Sequence, residues 1–210
     1  MKRFDIITEA DARVLAPGET VMLARRGHIT PLAHDTLKER RIIVVAEDSL
    51  SPDETSLAPR AEIRTVAIAS DHTGIALRKA LVAFLRGRGL SVNDLGTDTA
   101  DPVDYPDVAE SVGRPVARGE ADAGIVIDGA GIGSAIAANK IHGIRAVMAT
   151  TDTIARYSRE HNGANVLTLG ATLVTQDEAR AIVTAWLGAS MREPRYIRRL
   201  AKIRNLERKG

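Results

Sequence analysis

Four polar clusters in this sequence hold residue types that can transfer protons or bind anions. They are Ser70–Gly74 (SDHTG), Asp128–Ser134 (DGAGIGS), Glu160–Asn165 (EHNGAN) and a basic tail at 192–209 with eight basic and two acidic residues. The adjacent carboxylate and imidazole of Asp71 and His72 can share proton-transfer work. The glycines of the second cluster leave backbone N–H groups free at the start of a helix, which suits an anion or an oxyanion. The clusters therefore indicate acid–base chemistry on an anionic ligand.

Each cluster also has a plainer explanation. Asp71 can cap the helix that follows it, and His161 can lie at a helix end as a partner of the helix dipole. The tail can be a solvated helix face, and the glycine run can be a simple turn. The run also matches part of a dinucleotide-binding fingerprint, with Asp152 about where a ribose-binding acid would lie. Ser134 at the sixth position, and the negative charge of Asp128 beside a pyrophosphate, argue against that alternative.

The sequence from about Thr65 onward supplies a scaffold for these clusters, because short apolar runs alternate there with helical periodicity. The predicted strands are 65–70, 90–95, 124–127, 144–149 and 165–169, and the predicted helices are 74–88, 107–118, 133–140, 152–161 and 176–187. This alternation predicts an α/β fold, a Rossmann-like parallel sheet sandwiched by helices. Ligands of such sheets bind beyond the carboxyl ends of the strands, near the switch in strand order. We therefore expect the polar clusters at strand ends.

Composition limits the kind of protein. Of 210 residues, 44% are apolar and 27% charged, which fits one α/β domain with an appendage. The absence of cysteine excludes disulfides, thiolate catalysis and cysteine-ligated metals. No segment resembles a signal peptide or a membrane span, so we expect a cytoplasmic protein that makes no membrane contact. A net charge of +2 does not favour nucleic acid as a partner.

The chain divides into three parts. Residues 1–46 form a small appendage, 47–63 a polar linker, and 64–210 the main domain, which ends in a basic helix. The appendage shows helical or apolar patterns at 8–14, 20–23 and 32–40 and a strand at 42–45. It is too small to promise a core of its own.

Five motifs of the main domain occur in the order found in a known family. They are SDHTG, DYPD (Asp104–Asp107), GAGIGSAIAANK (Gly129–Lys140), GIRA (Gly143–Ala146) and REHNGANVLTLG (Arg159–Gly170). In these residues the chain resembles the type B ribose-5-phosphate isomerases and the related galactose-6-phosphate isomerase subunits. The resemblance runs from Thr65 to Ile203. It implies a homodimer or homotetramer with active sites at the subunit interface, no metal and no organic cofactor. It also implies ring opening of a sugar phosphate, followed by proton transfer from C2 to C1 through a cis-enediolate.

The resemblance implies roles for individual residues. Asp71 and His161 correspond to the pair that opens the ring, and Asn162 with the N–H groups of Gly129, Gly131 and Gly133 to the enediolate hole. His72, Arg195 and Arg199 correspond to groups that bind phosphate, for which guanidinium is well shaped. Tyr105 corresponds to a residue of the pocket wall.

Three departures from the family pattern bear on this assignment. Asp128 stands where many members carry the cysteine that acts as the enolising base, and Ser134 where another branch carries a glutamate. We therefore predict Asp128 as the base. Ala130 replaces a threonine, and Thr172 stands where some members place an additional phosphate-binding arginine. These changes leave open whether the substrate is ribose 5-phosphate or a tetrose, another pentose or a hexose phosphate.

Residues 1–46 are similar to short segments of proteins encoded with bacterial microcompartments. That similarity implies docking to shell or cargo proteins and a place inside such a compartment; a packing extension that stabilises the oligomer is the alternative. For the main domain the alternative is a non-catalytic relative, a sugar-phosphate-binding or scaffold protein that has lost its base.

Overall fold

A computed structural model describes residues 2–47, 56–191 and 193–208, and it divides the chain into two compact units, Met1–Pro52 and Asp53–Gly210. Of the predicted linker, 48–55 lies outside the described residues, and 56–63 belongs to the second unit. Within the described part of the chain, no helix is long and apolar enough to cross a membrane.

The first unit is a small parallel α/β structure. Its elements are β1 (Arg3–Ile7), α1 (Glu9–Val14), β2 (Thr20–Ile29), α2 (Pro31–Glu39) and β3 (Ile43–Ala46). The strands pair in the order β1-β2-β3, all parallel. Buried Ile7, Leu15, Val21, Ala33 and Leu37 form the main part of a separate core.

The expectation that this segment lacks its own core is therefore wrong. The sequence pattern did not predict β1, and it gave β2 less than half its length, because both strands mix charged with apolar residues. Arg3, Asp5, Arg25 and Arg26 are the charged positions, and these side chains stay exposed.

The second unit is the predicted parallel sheet with helices on both faces. Its elements are β4 (Thr65–Ser70), α3 (Ile75–Gly87), β5 (Ser91–Asp94), α4 (Tyr105–Ala117), β6 (Ala123–Asp128), α5 (Ile132–Ala138), β7 (Ala146–Met148), α6 (Asp152–Asn162), β8 (Val166–Gly170), α7 (Gln176–Gly188) and α8 (Pro194–Glu207). The strand order is β5-β4-β6-β8-β7. The order reverses between β4 and β6, so the switch point lies at the ends of these two strands.

Two apolar layers cover the sheet. Helices α3, α6 and α7 cover one face through Leu81, Ala155, Ile182 and Trp186, whereas α4 and α5 cover the other through residues such as Val112. Strands buried on both faces read as continuous apolar runs, which explains why β4, β6 and β8 were predicted correctly.

Helix boundaries differ slightly from the prediction. Helix α4 begins at Tyr105, two residues before the predicted start, because Pro106 is compatible with the first helical turn. Helix α5 ends at Ala138, and the predicted basic C-terminal helix is confirmed as α8.

Candidate functional site

Two predicted site residues meet at the switch point. Ser70 at the end of β4 pairs with Ile127 of β6, and the Asp71 N–H donates to the Ile127 carbonyl at 3.1 Å. Asp71 comes directly after β4, and Asp128 is the last residue of β6. The two residues therefore lie on neighbouring strands at the carboxyl edge of the sheet, the edge where the strands end. Both are almost completely buried, with 6% and 5% exposure.

The Asp128 carboxylate is the acceptor around which the glycine loop is ordered. One oxygen accepts the N–H groups of Ala130, at 2.8 Å, and of Gly131. The other accepts the Ser134 N–H at 3.0 Å and the Ser134 hydroxyl. A carboxylate has about four acceptor positions, and these four donors occupy them.

This geometry corrects one expectation. The N–H groups of the glycine run were expected to be free for an anion, but the Asp128 carboxylate lies among them and accepts those of Ala130 and Gly131. Among the described residues, the N–H groups of Gly129 and Gly133 donate to no protein acceptor, whereas that of Gly131 is engaged.

Three hydroxyl side chains fix the loop; in the sequence, Ser134 and Thr172 stood out only as departures from the family pattern, and Thr168 did not stand out. Ser134 binds Asp128, Thr168 donates to the Gly131 carbonyl at 2.6 Å, and Thr172 donates to the Gly129 carbonyl at 2.6 Å. The bond between Ser134 and Asp128 could have been expected from the local sequence, because an aspartate that precedes a short helix often accepts from the N–H groups of the first helical turn. Nothing in the local sequence indicated the contacts of Thr168 and Thr172, because these contacts depend on the pairing of β6 with β8.

Asp71 orders the turn before α3, whose N-cap is Gly74 and has no side-chain cap hydrogen bond, so the plainer explanation of Asp71 as a helix cap is wrong. Its Oδ1 accepts the Thr73 N–H at 2.9 Å, the Thr73 hydroxyl at 2.6 Å and the Gly74 N–H at 3.2 Å. These bonds use only one carboxylate oxygen. In the ranges that the structure describes, no hydrogen bond to the other oxygen, Oδ2, is present.

His72 and Tyr105 lie at the same edge. The Val103 N–H donates to Nδ1 of His72 at 3.3 Å, so the ring presents Nε2 as its second nitrogen. The Tyr105 ring lies against Gly133, where an added Cβ would come within 2.7 Å of it. With 44% of Tyr105 exposed, the ring forms a wall beside the glycine loop.

His161 and Asn162 lie at the opposite edge. They end α6, which runs back from the end of β7 towards the beginning of β8, and Val166 of β8 pairs with Gly124 at the start of β6. Asp128 lies four residue steps along β6 from Gly124, which is about 13 Å of extended strand. The expectation that all four clusters share one edge is wrong, and within one chain Asp71 cannot form a pair with His161.

The imidazole of His161 is stacked between two tyrosines. Its centroid is 4.7 Å from that of Tyr157 in α6 and 4.7 Å from that of Tyr196 in α8. The guanidinium carbons of Arg195 and Arg199 lie 4.8 and 5.4 Å from the Tyr196 ring centroid. The tail arginines and His161 therefore form one cluster around Tyr196, whereas the resemblance had placed the arginines with His72. The exposed Asn162 lines a neighbouring cavity of about 330 Å³.

The turn after His161 is held by the buried Arg159 and the half-buried Arg145. Arg159, fully buried, donates to the carbonyls of Arg60, Ala164 and Ala189. Burial, and then the positive charge of Arg145, lower the pKa of Arg159 to about 10. Arg145 donates to the Gly163 carbonyl at 2.7 Å. Carbonyl dipoles around a buried cation make this turn a rigid support for the imidazole.

Together these features define a parallel α/β protein with acid–base groups and an anion-binding loop at the switch point, the arrangement of an enzyme for a small anionic substrate. A sequence profile described as Ribose/Galactose Isomerase matches residues 66–203. Ribose-5-phosphate isomerase B of Escherichia coli is 42% identical over 147 residues, which are 70% of this chain and 99% of that protein.

Solved structures give the same result. Ribose-5-phosphate isomerase B of Clostridium thermocellum is 46% identical with a TM-score of 0.68, over 69% of this chain and 98% of that one. The Mycoplasma genitalium enzyme, solved with bound ribulose 5-phosphate, is 37% identical with a TM-score of 0.68, over 71% and 99%. The chain belongs to the ribose/galactose isomerase family. The predicted fold and the predicted class, an aldose–ketose isomerase of phosphorylated sugars, are confirmed.

Proposed function

We propose that the protein interconverts ribose 5-phosphate and ribulose 5-phosphate, or a closely related aldose and ketose phosphate, at a site that two copies of the chain complete. The observation that carries the proposal is the Asp128 carboxylate held by loop N–H groups beside Asp71 at the switch point. The names of the relatives favour the pentose phosphates as substrates.

Asp128 is the proposed base. Because four donors occupy its acceptor positions, one of them, such as the Ser134 hydroxyl, has to turn away before a carboxylate oxygen can take the C2 proton. Starting from the aldose, the C2–H bond breaks, the proton passes to the carboxylate, and the negative charge moves to the enediolate oxygen. The donors proposed for the enediolate are the N–H groups of Gly129 and Gly133, which donate to no protein acceptor in the part of the chain that the structure describes.

A second copy of the chain supplies the other half of the site in this proposal. His161, Asn162, Arg195 and Arg199 lie at the amino edge of the sheet, too far from Asp71 and Asp128 to act with them in one chain. In a twofold dimer each amino-edge cluster can face the carboxyl edge of the other copy. Asp71 and His161 would then form the ring-opening pair, and His72 and the tail arginines would bind the phosphate.

The departures around the glycine loop would tune substrate choice. Ala130 lacks the hydroxyl that is usual at this position, and the Thr172 hydroxyl donates its hydrogen bond to the Gly129 carbonyl. Both changes remove groups that could bind the far end of a sugar phosphate. A screen of tetrose, pentose and hexose phosphates for isomerisation identifies the substrate.

Proton exchange tests the proposed base directly. Ribulose 5-phosphate has no ring to open, so exchange of its C1 proton in D2O, followed by NMR, reports enolisation alone. We expect Asp128→Asn to reduce this exchange by at least about 10³-fold, because the amide cannot accept the proton. Asp177→Asn, the same substitution at a position that is 91% exposed, is the control and should leave exchange unchanged.

The outcomes separate the alternatives. Retained exchange in Asp128→Asn would remove Asp128 as the base. No exchange by the wild-type protein with any candidate sugar phosphate would favour a binding or scaffold protein that has lost catalysis.

A further inference from the structure

The His161 imidazole is held by aromatic rings on both sides. The Tyr157 ring is nearly parallel to it, with an interplanar angle of 23°, and the Tyr196 ring is tilted by 36°. Tyr157 belongs to the same helix, four residues earlier, whereas Tyr196 belongs to α8. The Tyr196 contact is therefore a connection between two helices.

Tyr196 also contacts both tail arginines. Besides the two guanidinium contacts with its ring, Nη2 of Arg195 donates to its hydroxyl at 3.0 Å. An arginine over an aromatic ring loses much of its rotational freedom and keeps its charge. His161, Tyr196 and Arg195 line one cavity of about 530 Å³.

We infer that Tyr196 is a positioning residue, whose ring holds the His161 imidazole and the guanidinium groups of Arg195 and Arg199 in one fixed arrangement. The inference rests on the proposed function, in which the imidazole moves a proton during ring opening and the arginines bind phosphate. Tyr196 touches neither the reacting carbons nor the transferred proton. It acts by keeping the two ends of the substrate in register with the groups that bind them.

Tyr157 provides a matched comparison. It stacks on the same imidazole at the same distance, but its guanidinium contact is Arg156 and not a tail arginine. Replacing Tyr157 should disturb the imidazole alone, whereas replacing Tyr196 should disturb the imidazole and the phosphate site together.

The test compares Tyr196→Leu, Tyr196→Phe and Tyr157→Leu in the full-length protein. We measure KM and kcat for isomerisation, the affinity for inorganic phosphate, and C1 proton exchange of ribulose 5-phosphate at saturating concentration. For Tyr196→Leu we expect phosphate affinity to fall about tenfold and kcat for isomerisation to fall further than exchange, because ring opening needs the imidazole and exchange does not. Tyr196→Phe keeps the ring and should remain within about twofold of the wild type.

Tyr157→Leu should lower kcat for isomerisation and leave phosphate affinity within about twofold of the wild type. Two results would overturn the inference: unchanged phosphate affinity and kcat in Tyr196→Leu, or equal losses in Tyr196→Phe and Tyr196→Leu. If Tyr196→Leu does not fold, Tyr196→His, with a smaller flat ring, should show an intermediate phosphate affinity, and wild-type affinity there would equally overturn it. A wild-type protein that catalyses no exchange refutes the proposed function instead, and the phosphate titration still decides whether Tyr196 organises the arginines.

Discussion

The shape of the glycine loop depends on Gly131. Its backbone lies in the left-handed region, with φ of +76°, and an added Cβ would come within 2.8 Å of the Leu169 carbonyl carbon. Its N–H also binds Asp128. Gly131 therefore supplies the left-handed backbone conformation, packs closely on β8 and binds the proposed base.

We expect Gly131→Ala to lower the free energy of unfolding by about 3 kcal/mol, because it adds backbone strain and a clash with β8. Isomerisation should fall with it, since the loop cannot keep its form. Gly119 has nearly the same φ, +74°, but nothing within 4 Å of an added Cβ. Gly119→Ala should cost about 1 kcal/mol and leave activity unchanged, so equal losses in urea denaturation of the two variants would contradict this account.

At this level the sequence predicted where groups lie along the chain better than what they bind. Asp71, His72 and Asp128 were placed correctly at strand ends because apolar runs define those ends. The aspartate before a short helix gave a partial signal for the bonds to Asp128, but the full set of four donors depends on loop dihedral angles and could not be predicted. The contact of Tyr196 with His161 could not be predicted either, because the two residues belong to different helices and are 35 positions apart in the sequence.

The beginning of β4 is fixed by one carboxylate of the loop before β6. Asp122 accepts the N–H groups of Arg64 and Thr65, each at 2.9 Å, and an N–H of the Arg60 guanidinium at 2.7 Å. Burial alone would raise the pKa of Asp122, but the two backbone bonds and Arg60 outweigh it and hold the pKa below its ordinary value.

A carboxyl group with a lowered pKa in the folded state stabilises that state above its unfolded pKa, and the contribution is lost as pH falls through the folded value. We expect Asp122→Asn to reduce the free energy of unfolding by about 1–2 kcal/mol at pH 7. The difference from the wild type should shrink below about pH 4, as the carboxylate takes up a proton. Urea denaturation at pH 7 and pH 3 measures both values.

Asp177→Asn again serves as the control, with an expected change within about 0.5 kcal/mol. A difference between wild type and Asp122→Asn that stays constant from pH 7 to pH 3 would contradict the proposed contribution of the charge.

The alternation of strands and helices was predictable because both faces of the sheet are covered. The positions of α6 and α8 along the chain were also predicted, but the edge of the sheet at which their functional residues lie was not. The pairing of His161 with Asp71 was implied by the family resemblance. A helix that follows a parallel strand runs back to the amino edge, so within one chain His161 lies at the other edge.

The two units differ in which residues each needs for its own stability. The first has its own sheet and core, and the sequence alone underestimated it. The second includes 56–63, where the carbonyls of Leu57 and Arg60 accept from Arg145 and Arg159. A separate core supports the proposal that residues 1–46 are a docking module, with packing on the oligomer as the alternative.

Two truncations show which of the residues before β4 the second unit needs for its stability. Removing residues 1–52 should leave isomerisation and the melting temperature of the second unit unchanged, because its relatives are covered almost completely without them. Removing residues 1–62 should destabilise it by about 2–4 kcal/mol, because Arg159 and Arg145 lose carbonyl acceptors. Loss of the oligomer in the shorter truncation would favour the packing role, and unchanged stability in the longer one would contradict the role of these carbonyls.

Mixing two inactive variants tests the composite site directly. Asp128→Asn removes a group of the carboxyl edge, and His161→Gln removes one of the amino edge. If each site takes one edge from each of two copies, random pairing of equal amounts gives mixed dimers with one intact site, and about a quarter of wild-type activity returns. Activity that stays at the level of the separate variants, although mixed dimers have formed, would contradict a site shared between two copies.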